Sequence, residues 1–396
     1  ASPGQFAPVE GTIAYSDMHI GTLPIYALGR ALGLSVEGTY QFWAVCISLL
    51  NSIAMLLLLR SLNTPWSLSG PLAFLGASPA SLVAFTGMHI QLLPVFAFPM
   101  AIRELVLFFK ERRADRLFYS LAYFGWLHLC SPYLGFFGTI ALFGLAIYAL
   151  VLCRSKLLDL HRESWVLNKP RVPSLLLACG IWLVVAWMYS LYYFRFAEAG
   201  GRNLESIAAG APDWKLWAFT PGGHWLYGDF FSWGASVNHS EHSMFSGLAP
   251  WLGLVVGISA IIRYWKTERP YWLAAFVLLS IGLVLLFTRW DDDGSGIYLW
   301  LAGHIHALTA FRAVSRSIIL IHILQTLVLC ESLRLFYSYS RSRAARGLLV
   351  AVAVIAALEG LSFRQNSTPK ERVQAKREGI IEGWRAAGSH PYLLFA

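Results

Sequence analysis

The sequence predicts an all-α polytopic membrane protein. Of its 396 residues, 57% are hydrophobic and only 13% are charged, and the mean hydropathy is +0.55. A soluble protein of this length needs a far more polar surface, so a soluble enzyme is excluded. The 16 Trp, 17 Tyr and 25 Phe residues also exclude a disordered chain, because disordered chains are poor in aromatic residues.

Apolar runs divide the chain into about ten predicted transmembrane helices, since a bilayer core requires about 20 apolar residues per helix. The runs that reach or approach this length are residues 40–60, 66–86, 90–109, 116–131, 133–153, 174–196, 248–264, 270–288, 317–336 and 346–361. Pro94, Pro99 and Pro132 interrupt or border these runs. We therefore expect kinks, or helices that stop within the membrane where protein or a wet cavity covers the freed backbone.

Basic residues in the short loops predict the orientation of these helices. If residues 1–39 lie outside, 17 of the 31 Lys and Arg residues fall in inner loops and only seven in outer loops. Short cytoplasmic loops of membrane proteins carry such an excess of basic residues. The long loops at residues 197–247 and 289–316, together with the C-terminal tail, are therefore predicted to lie outside.

Three regions are predicted along the chain. Residues 1–39 form an outer loop with a helix near residues 18–33, and residues 40–361 form the transmembrane domain. Residues 362–396 contain a polar helix and then a short apolar stretch, which indicates the start of an extracytoplasmic C-terminal domain. Because no signal peptide or transmembrane helix precedes the first outer loop, we expect the chain to be a fragment of a longer protein.

The first outer segment contains a candidate catalytic acid, Asp17, directly before the predicted helix. Either Ser16 or Asp17 could cap that helix by accepting hydrogen bonds from backbone N–H groups. Alternatively, Asp17 and Glu10 face a polar cavity as a general base or a metal ligand. Both interpretations fit a single carboxylate at the beginning of a helix, and the sequence leaves them open.

The outer loop at residues 197–247 places indoles beside carboxylates, and Trp225 is one of these indoles. Such residues are either interfacial anchors or a stacking platform for a sugar ring or a lipid-linked substrate.

Glu241 lies between His239 and His242 before the next apolar run. The His spacing does not match a zinc helix, so Glu241 is predicted to act as an acid at the mouth of a cavity, and a divalent metal cofactor is left open.

The outer loop at residues 289–316 contains four candidate substrate-binding residues: His304, His306, Arg312 and Arg316. The two arginines are four residues apart, which predicts that they share one face of a helix entering the membrane. One interpretation is that they extend to lipid phosphates at the membrane surface. The other is that they bind the phosphate of a polyprenyl-phosphate donor, because a planar guanidinium matches phosphate with two hydrogen bonds.

Three ionisable residues, His128, His322 and Glu359, lie within the predicted helices. Ionisable groups at that depth are functional candidates, although an ordinary hydrogen-bonded core position is the expectation for the two histidines. Four charged residues near the inner helix ends are expected to pair locally: Arg103, Glu104, Glu331 and Arg334.

The composition also limits the partners. Basic residues are scattered over short loops and do not form one stripe with aromatic residues, so a nucleic acid partner is excluded. The lipid bilayer is the expected environment.

The five cysteines fall in apolar runs without a C-x-x-C pair, so they are predicted to be small core residues. No pattern predicts the oligomeric state.

Four stretches resemble large bacterial inner-membrane proteins of the glycosyltransferase C superfamily. They are residues 10–26 (EGTIAYSDMHIGTLPIY), 87–94 (GMHIQLLP), 241–250 (EHSMFSGLAP) and 310–316 (AFRAVSR). The stretches occur in the expected order and extend over most of the chain. The resemblance implies a multi-helix fold in a bacterial cytoplasmic (inner) membrane, with a soluble extracytoplasmic C-terminal domain.

The resemblance also implies an activity, the transfer of a sugar from a polyprenyl-phosphate donor to a cell-envelope acceptor on the extracytoplasmic face. An acidic residue of the first outer loop would be the base. Asp17 matches the family pattern, but the acidic motif that such proteins place at the end of their first helix would lie before Ala1. Glu241, Arg312 and Arg316 carry over by position as site residues.

Two non-enzymatic functions are alternatives. A transporter or flippase for lipid-linked or small polar solutes is expected to have two repeated halves with broken helices, and the sequence contains no convincing internal repeat. A scaffold for cell-envelope assembly is compatible with the same architecture, because a fold alone does not determine a function.

Overall fold

The fold is helical throughout the part of the chain that the structure describes. The computed structural model describes residues 19–78, 89–152, 171–190, 203–218, 226, 244–291, 295–311, 313–360 and 382, with only the backbone at 149–152 and 306–307. Within these ranges no strand forms, and Asp213 and Arg289 make an isolated bridge. The prediction of an all-α protein is confirmed.

Thirteen α-helices lie in the described ranges. They are α1 (Leu23–Ala31), α2 (Val36–Ser61), α3 (Trp66–Ala77), α4 (Ala97–Glu111), α5 (Ala114–Cys130), α6 (Pro132–Leu152), α7 (Val172–Met188), α8 (Leu204–Ala209), α9 (Leu248–Glu268), α10 (Tyr271–Phe287), α11 (Ile297–His304), α12 (Ile318–Tyr339) and α13 (Arg343–Glu359). Short 3-10 helices form at Ile20–Thr22, Ile90–Leu92, Trp214–Ala218, His306–Ala310 and Val314–Ser317.

Each predicted apolar run overlaps one of these helices. Four helical segments are long and apolar enough to cross a membrane: Val36–Ser61, Ile90–Glu111, Leu248–Glu268 and Val314–Tyr339. Three shorter apolar helices are Pro132–Tyr148, Val172–Met188 and Tyr271–Phe287. The structure therefore supports a protein with several membrane helices, and the count of about ten stays a prediction.

Prolines lie where the apolar segments are interrupted. Pro94 separates the 3-10 helix at Ile90–Leu92 from α4, and Pro132 begins α6 directly after α5. Pro99 lies in the first turn of α4, where a missing N–H breaks no helical hydrogen bond. The expected interruptions at Pro94 and Pro132 are confirmed.

Helix α12 lies at the centre of the bundle. In the apolar window of Val314–Tyr339, 94% of the residues are buried, against 39% for α2 and 33% for α9. Helices α3, α9 and α10 pack around α12. The outer helices expose many apolar side chains, including Val45 and Leu49 of α2 and Ile262 of α9. An apolar outer surface of this kind fits a lipid bilayer environment.

One buried polar residue, Asn51 of α2, stabilises the interruption before α4. Its side-chain amide donates to the carbonyl of Leu93 at 2.8 Å, and its Oδ1 accepts from the N–H of Val95 at 3.1 Å. Both backbone groups flank Pro94, which cannot donate. These bonds add to the one that the Val95 N–H donates to the Leu93 carbonyl at 2.9 Å, so a single side chain supports both backbone groups at the interruption.

The local pairing expected for Arg103, Glu104, Glu331 and Arg334 is confirmed. Glu104 accepts hydrogen bonds from Arg103 and, at 2.9 Å, from Arg116, which also contacts Glu111. On α12, Arg334 donates two hydrogen bonds of 3.0 Å to Glu331. Breaking such a buried pair leaves one charge uncompensated, so these groups are structural.

Asp115 connects the beginning of α5 to the beginning of α7. Its carboxylate accepts hydrogen bonds from the backbone N–H of Arg171 at 2.6 Å, from Arg113 at 3.2 Å and from Ser174 at 3.3 Å. Asp115 precedes the predicted span at residues 116–131. The hydrogen bond from the Arg171 N–H is the main cause that lowers the pKa of Asp115 below its ordinary value of 3.8.

The prediction for the cysteines is only partly correct. Cys130 and Cys330 are buried in the core, whereas Cys46 is half-buried and Cys179 is exposed on α7. Cys153 lies outside the described residues. Small apolar side chains in a membrane helix can also face lipid, which is as apolar as the protein interior.

We expect Asn51→Leu to destabilise the protein. The substitution keeps the branched shape of the side chain but removes its hydrogen bonds to the Leu93 carbonyl and the Val95 N–H, which retain only their bond to each other at 2.9 Å. Each lost hydrogen bond is expected to cost about 0.5–1.5 kcal/mol. Thermal unfolding of the purified protein in detergent measures the loss. Ser48→Ala, which removes a hydroxyl bonded only within α2, is the control, and equal melting temperatures for the two variants would contradict the assignment.

We expect acid to weaken the junction of α5 and α7 through Asp115. The folded-state pKa of Asp115 is lowered, so its carboxylate stabilises the fold above the unfolded-state pKa, and this contribution is lost as the pH falls through the folded-state pKa. The melting temperature of the wild-type protein should therefore fall more steeply below about pH 4 than that of Asp115→Asn.

The control for this pH profile is Glu205→Gln, which removes an exposed carboxylate in α8. Its melting temperature should follow the wild-type profile throughout. A profile of Asp115→Asn parallel to the wild type would show that this carboxylate does not stabilise the junction.

Candidate functional site

Two of the predicted site residues have described side chains, Arg316 and His304. Four predicted site residues lie outside the described residues: Asp17, Trp225, Glu241 and Arg312. For His306 the structure describes only the backbone, which belongs to the 3-10 helix at His306–Ala310. The site is therefore built around Arg316.

The segment that carries Arg316 is not a continuous helix. Phe311 has an extended backbone, Ala313 is non-helical with φ of −88° and ψ of 72°, and a 3-10 turn at Val314–Ser317 precedes α12. The prediction that Arg312 and Arg316 share one helical face is therefore wrong. The four-residue spacing places side chains on one face only where the intervening residues are helical.

Aromatic packing fixes this segment on the bundle. The ring of Phe311 stacks on Phe136 of α6 at 4.0 Å and 9°, and contacts Tyr133 edge-on at 5.4 Å. The hydroxyl of Tyr298 in α11 donates to the carbonyl of Leu308 at 2.9 Å. Because these contacts come from two helices, the turn that follows Phe311 has a defined position.

Arg316 lies in this turn and is almost fully buried, with 5% of its surface exposed. Its guanidinium is centred 4.4 Å from the ring of Tyr133. Its Nη2 atom lies 3.2 Å from Nε2 and 3.3 Å from Nδ1 of His89, and Nδ1 of His89 lies 3.2 Å from the amide nitrogen of Gln91. The stretches at residues 87–94 and 310–316, far apart in sequence, therefore meet.

This arrangement suits recognition of an anion. A guanidinium over an aromatic face is held by cation–π attraction, which strengthens when the pair is removed from water. Its planar set of N–H donors matches the oxygens of a phosphate. The neighbouring imidazole of His89 adds ring nitrogens that can take part in hydrogen bonds. Arg316, Tyr133, His89 and Gln91 are hereafter called the arginine site.

His304 is placed differently. Its ring is exposed at the end of α11, packs on Trp300 at 4.6 Å, and its Nδ1 donates to the Trp300 carbonyl at 2.8 Å. In the described part of the chain, no contact of His304 reaches the arginine site. The prediction that His304 binds substrate is untested by these contacts.

The stretch at residues 241–250 is anchored by α12. The carbonyl of Ser246 accepts from Nδ1 of His322 at 3.0 Å, and the hydroxyl of Ser246 donates to Gln325 at 2.5 Å. The other ring nitrogen of His322 lies 2.8 Å from the carbonyl of Leu75 at the end of α3. His322 is fully buried and connects two chain segments, which agrees with the expected core position.

His128 is likewise a hydrogen-bonded core residue. Its Nδ1 lies 2.9 Å from the hydroxyl of Tyr189, and its Nε2 lies 3.2 Å from the hydroxyl of Thr139. The rings of Phe124 and Trp182 pack against it. Because hydroxyl groups both donate and accept, a neutral imidazole satisfies both contacts.

Glu359, the third intramembrane candidate, caps a helix from elsewhere in the chain. Its carboxylate accepts hydrogen bonds from the N–H groups of Leu248 and, at 2.8 Å, of Ala249, the first residues of α9. Gly247, which precedes them, has φ of +113°, and a Cβ there would lie 2.8 Å from the carboxylate. The interaction matches the positive end of the helix dipole, so the role of Glu359 is structural.

The described tryptophans of the outer loops divide into two kinds. Trp217 is buried, and its indole N–H donates to Thr288 at 2.7 Å, which connects this segment to the end of α10. Trp214 is exposed, and its neighbour Asp213 accepts hydrogen bonds from the backbone of Lys215 and Leu216. Asp213 therefore stabilises a turn, while the exposed indole is compatible with either predicted role.

Comparison with known protein families, curated proteins and solved structures finds no match. In the described part of the chain, no three His, Cys, Asp or Glu side chains converge as a metal site. The functional argument therefore depends on the geometry of the arginine site. Sequence reasoning identified Arg316 but missed Tyr133 and Gln91 as its neighbours, because neither residue stands out by type.

We expect Glu359→Ala to destabilise α9 by about 1–2 kcal/mol, which is the usual cost of removing a capping carboxylate or hydroxyl. Glu359→Gln keeps an acceptor oxygen and should lose less. The measurement is thermal unfolding in detergent, with Glu205→Ala, an exposed acid of α8, as control. The assignment fails if Glu359→Ala melts like the wild type.

Proposed function

We propose that the protein is a membrane glycosyltransferase. It transfers a sugar from a polyprenyl-phosphate donor to a cell-envelope acceptor on the extracytoplasmic face. The observation that carries the proposal is the buried Arg316 guanidinium, held over the Tyr133 ring beside His89. A desolvated cation at the start of a membrane helix is costly to maintain and suits a phosphate ligand.

The chemistry assigned to the site is a displacement at the anomeric carbon. The acceptor hydroxyl oxygen forms a bond to that carbon while the bond to the phosphate oxygen breaks, and the polyprenyl phosphate leaves with the electron pair. A carboxylate takes the hydroxyl proton, and Asp17, Glu241 or an acid before Ala1 is the candidate. Arg316, with Arg312, stabilises the charge that develops on the leaving phosphate.

The surroundings of Arg316 favour this use over simple anchoring at the membrane surface. An interfacial arginine extends its charged head into water, whereas Arg316 is nearly buried. Its neighbours come from two other segments, Tyr133 from α6 and His89 from the segment before α4. Such support from separate elements is typical of groups that must be preorganised for a ligand.

We expect Arg316→Ala to lower the rate of sugar transfer about 100-fold, the usual loss when one charge-stabilising donor is removed from a transition state. Arg316→Lys should restore part of the rate, because it keeps the charge but loses the planar pair of donors. The assay follows radiolabelled sugar from a polyprenyl-phosphate donor into the envelope fraction of membranes that contain the protein.

The matched control is Arg30→Ala, an exposed arginine of α1 whose guanidinium donates to the Leu34 carbonyl at 2.5 Å. It should leave transfer unchanged. Full transfer by a folded Arg316→Ala protein would overturn the phosphate role. Movement of labelled lipid across vesicles by the wild type, without transfer, would favour the transporter or flippase.

A further inference from the structure

Six exposed basic residues gather where α9, α12 and α13 meet at their ends. They are Arg263, Lys266, Arg269, Arg341, Arg343 and Arg346, hereafter called the basic patch. The first three end α9, and the last three lie in the connection from α12 to α13 and in the first turn of α13.

The two halves of the basic patch are neighbours in space. The hydroxyl of Tyr339, the last residue of α12, donates to the carboxylate of Glu268 at the end of α9. The rings of Tyr264 and Tyr339 stack at 4.7 Å with planes 23° apart. Helices α9 and α12 pack along their length. The patch is therefore one surface built from two loops.

Charge balance distinguishes this patch from other arginines of the bundle. Five of those arginines have acidic partners: Arg103, Arg113, Arg116, Arg171 and Arg334. Within the described residues, none of the six patch residues forms an ion pair. Glu268 is the one acid within residues 263–269 and 340–346, and Tyr339 donates to it. The patch thus carries a concentrated, exposed positive charge.

Aromatic residues place the patch at the level of lipid headgroups. The guanidinium of Arg346 lies 5.2 Å from the Tyr337 ring, and that of Arg263 lies 5.7 Å from the Tyr264 ring. Tyr and Trp side chains concentrate at membrane–water interfaces, where Lys and Arg reach toward phosphates. Charge complementarity at this depth therefore favours an anionic headgroup over a soluble partner.

We propose that the basic patch binds the headgroups of anionic phospholipids in the leaflet that it faces. The chemistry is charge-assisted hydrogen bonding from guanidinium groups to phosphate oxygens. This site is separate from the arginine site and does not depend on the proposed transferase activity. Its lipid would stabilise the contact between the ends of α9, α12 and α13, because binding to the folded state alone raises stability.

The test uses the full chain purified in a neutral detergent and titrated with phosphatidylglycerol or phosphatidylcholine, with bound lipid counted by native mass spectrometry. The wild type should bind phosphatidylglycerol more tightly, and added salt should remove the preference. Arg341→Gln combined with Arg343→Gln should weaken phosphatidylglycerol binding about thirtyfold. Each basic residue near a membrane surface contributes about 1 kcal/mol, and the loss of two raises the dissociation constant by that factor.

A second double variant, Arg30→Gln with Lys215→Gln, removes two basic residues from other loops and should bind like the wild type. Inorganic phosphate at millimolar concentration should compete weakly, since a free anion lacks the acyl chains. Equal binding of the two lipids by the wild type would overturn the proposal. So would unchanged phosphatidylglycerol binding by a monodisperse Arg341→Gln, Arg343→Gln protein.

Discussion

Interruptions of the membrane helices determine where this bundle needs polar side chains. A helix that stops inside an apolar bundle leaves backbone donors and acceptors that water cannot reach. Asn51 forms hydrogen bonds with the backbone groups on either side of Pro94. Glu359 accepts hydrogen bonds from the first backbone N–H groups of α9. His322 joins the end of α3 to the segment before α9. Each of these groups acts on a part of the chain far from its own.

This constraint explains why α12 is both the most buried helix and one rich in polar residues. His322 and Gln325 both contact Ser246, and Arg316 lies directly before the first turn of the helix. The surrounding helices contribute apolar faces to the core and also expose apolar side chains at the surface. The central helix therefore collects the polar contacts that cannot be made at the lipid surface, and the arginine site lies at one end of it.

The apolar runs and prolines predicted the positions of the helices and of two interruptions, because both are local properties of the sequence. The side chains that form hydrogen bonds with the interrupted backbone could not be predicted in this way, because they lie far away in the sequence. Asn51 and Leu93 are 42 residues apart, Glu359 and Leu248 are 111 apart, and His322 and Leu75 are 247 apart. Arg316 was predicted from its type and loop, but the helical face proposed for it was wrong because the chain is non-helical at Ala313.

Arginine side chains occupy three environments in this protein. The environment of an arginine indicates a structural or a functional role better than the residue type alone does. Arg116 pairs with Glu104 and joins α5 to α4, and Arg334 pairs with Glu331 within α12. Arg341 and its neighbours are exposed and lack acidic partners among the described residues, so their field extends toward the lipid surface. Arg316 is buried against an aromatic ring and an imidazole. A guanidinium held against an aromatic face has a planar set of donors that matches phosphate oxygens, which is why the proposed function assigns Arg316 to the phosphate of the donor.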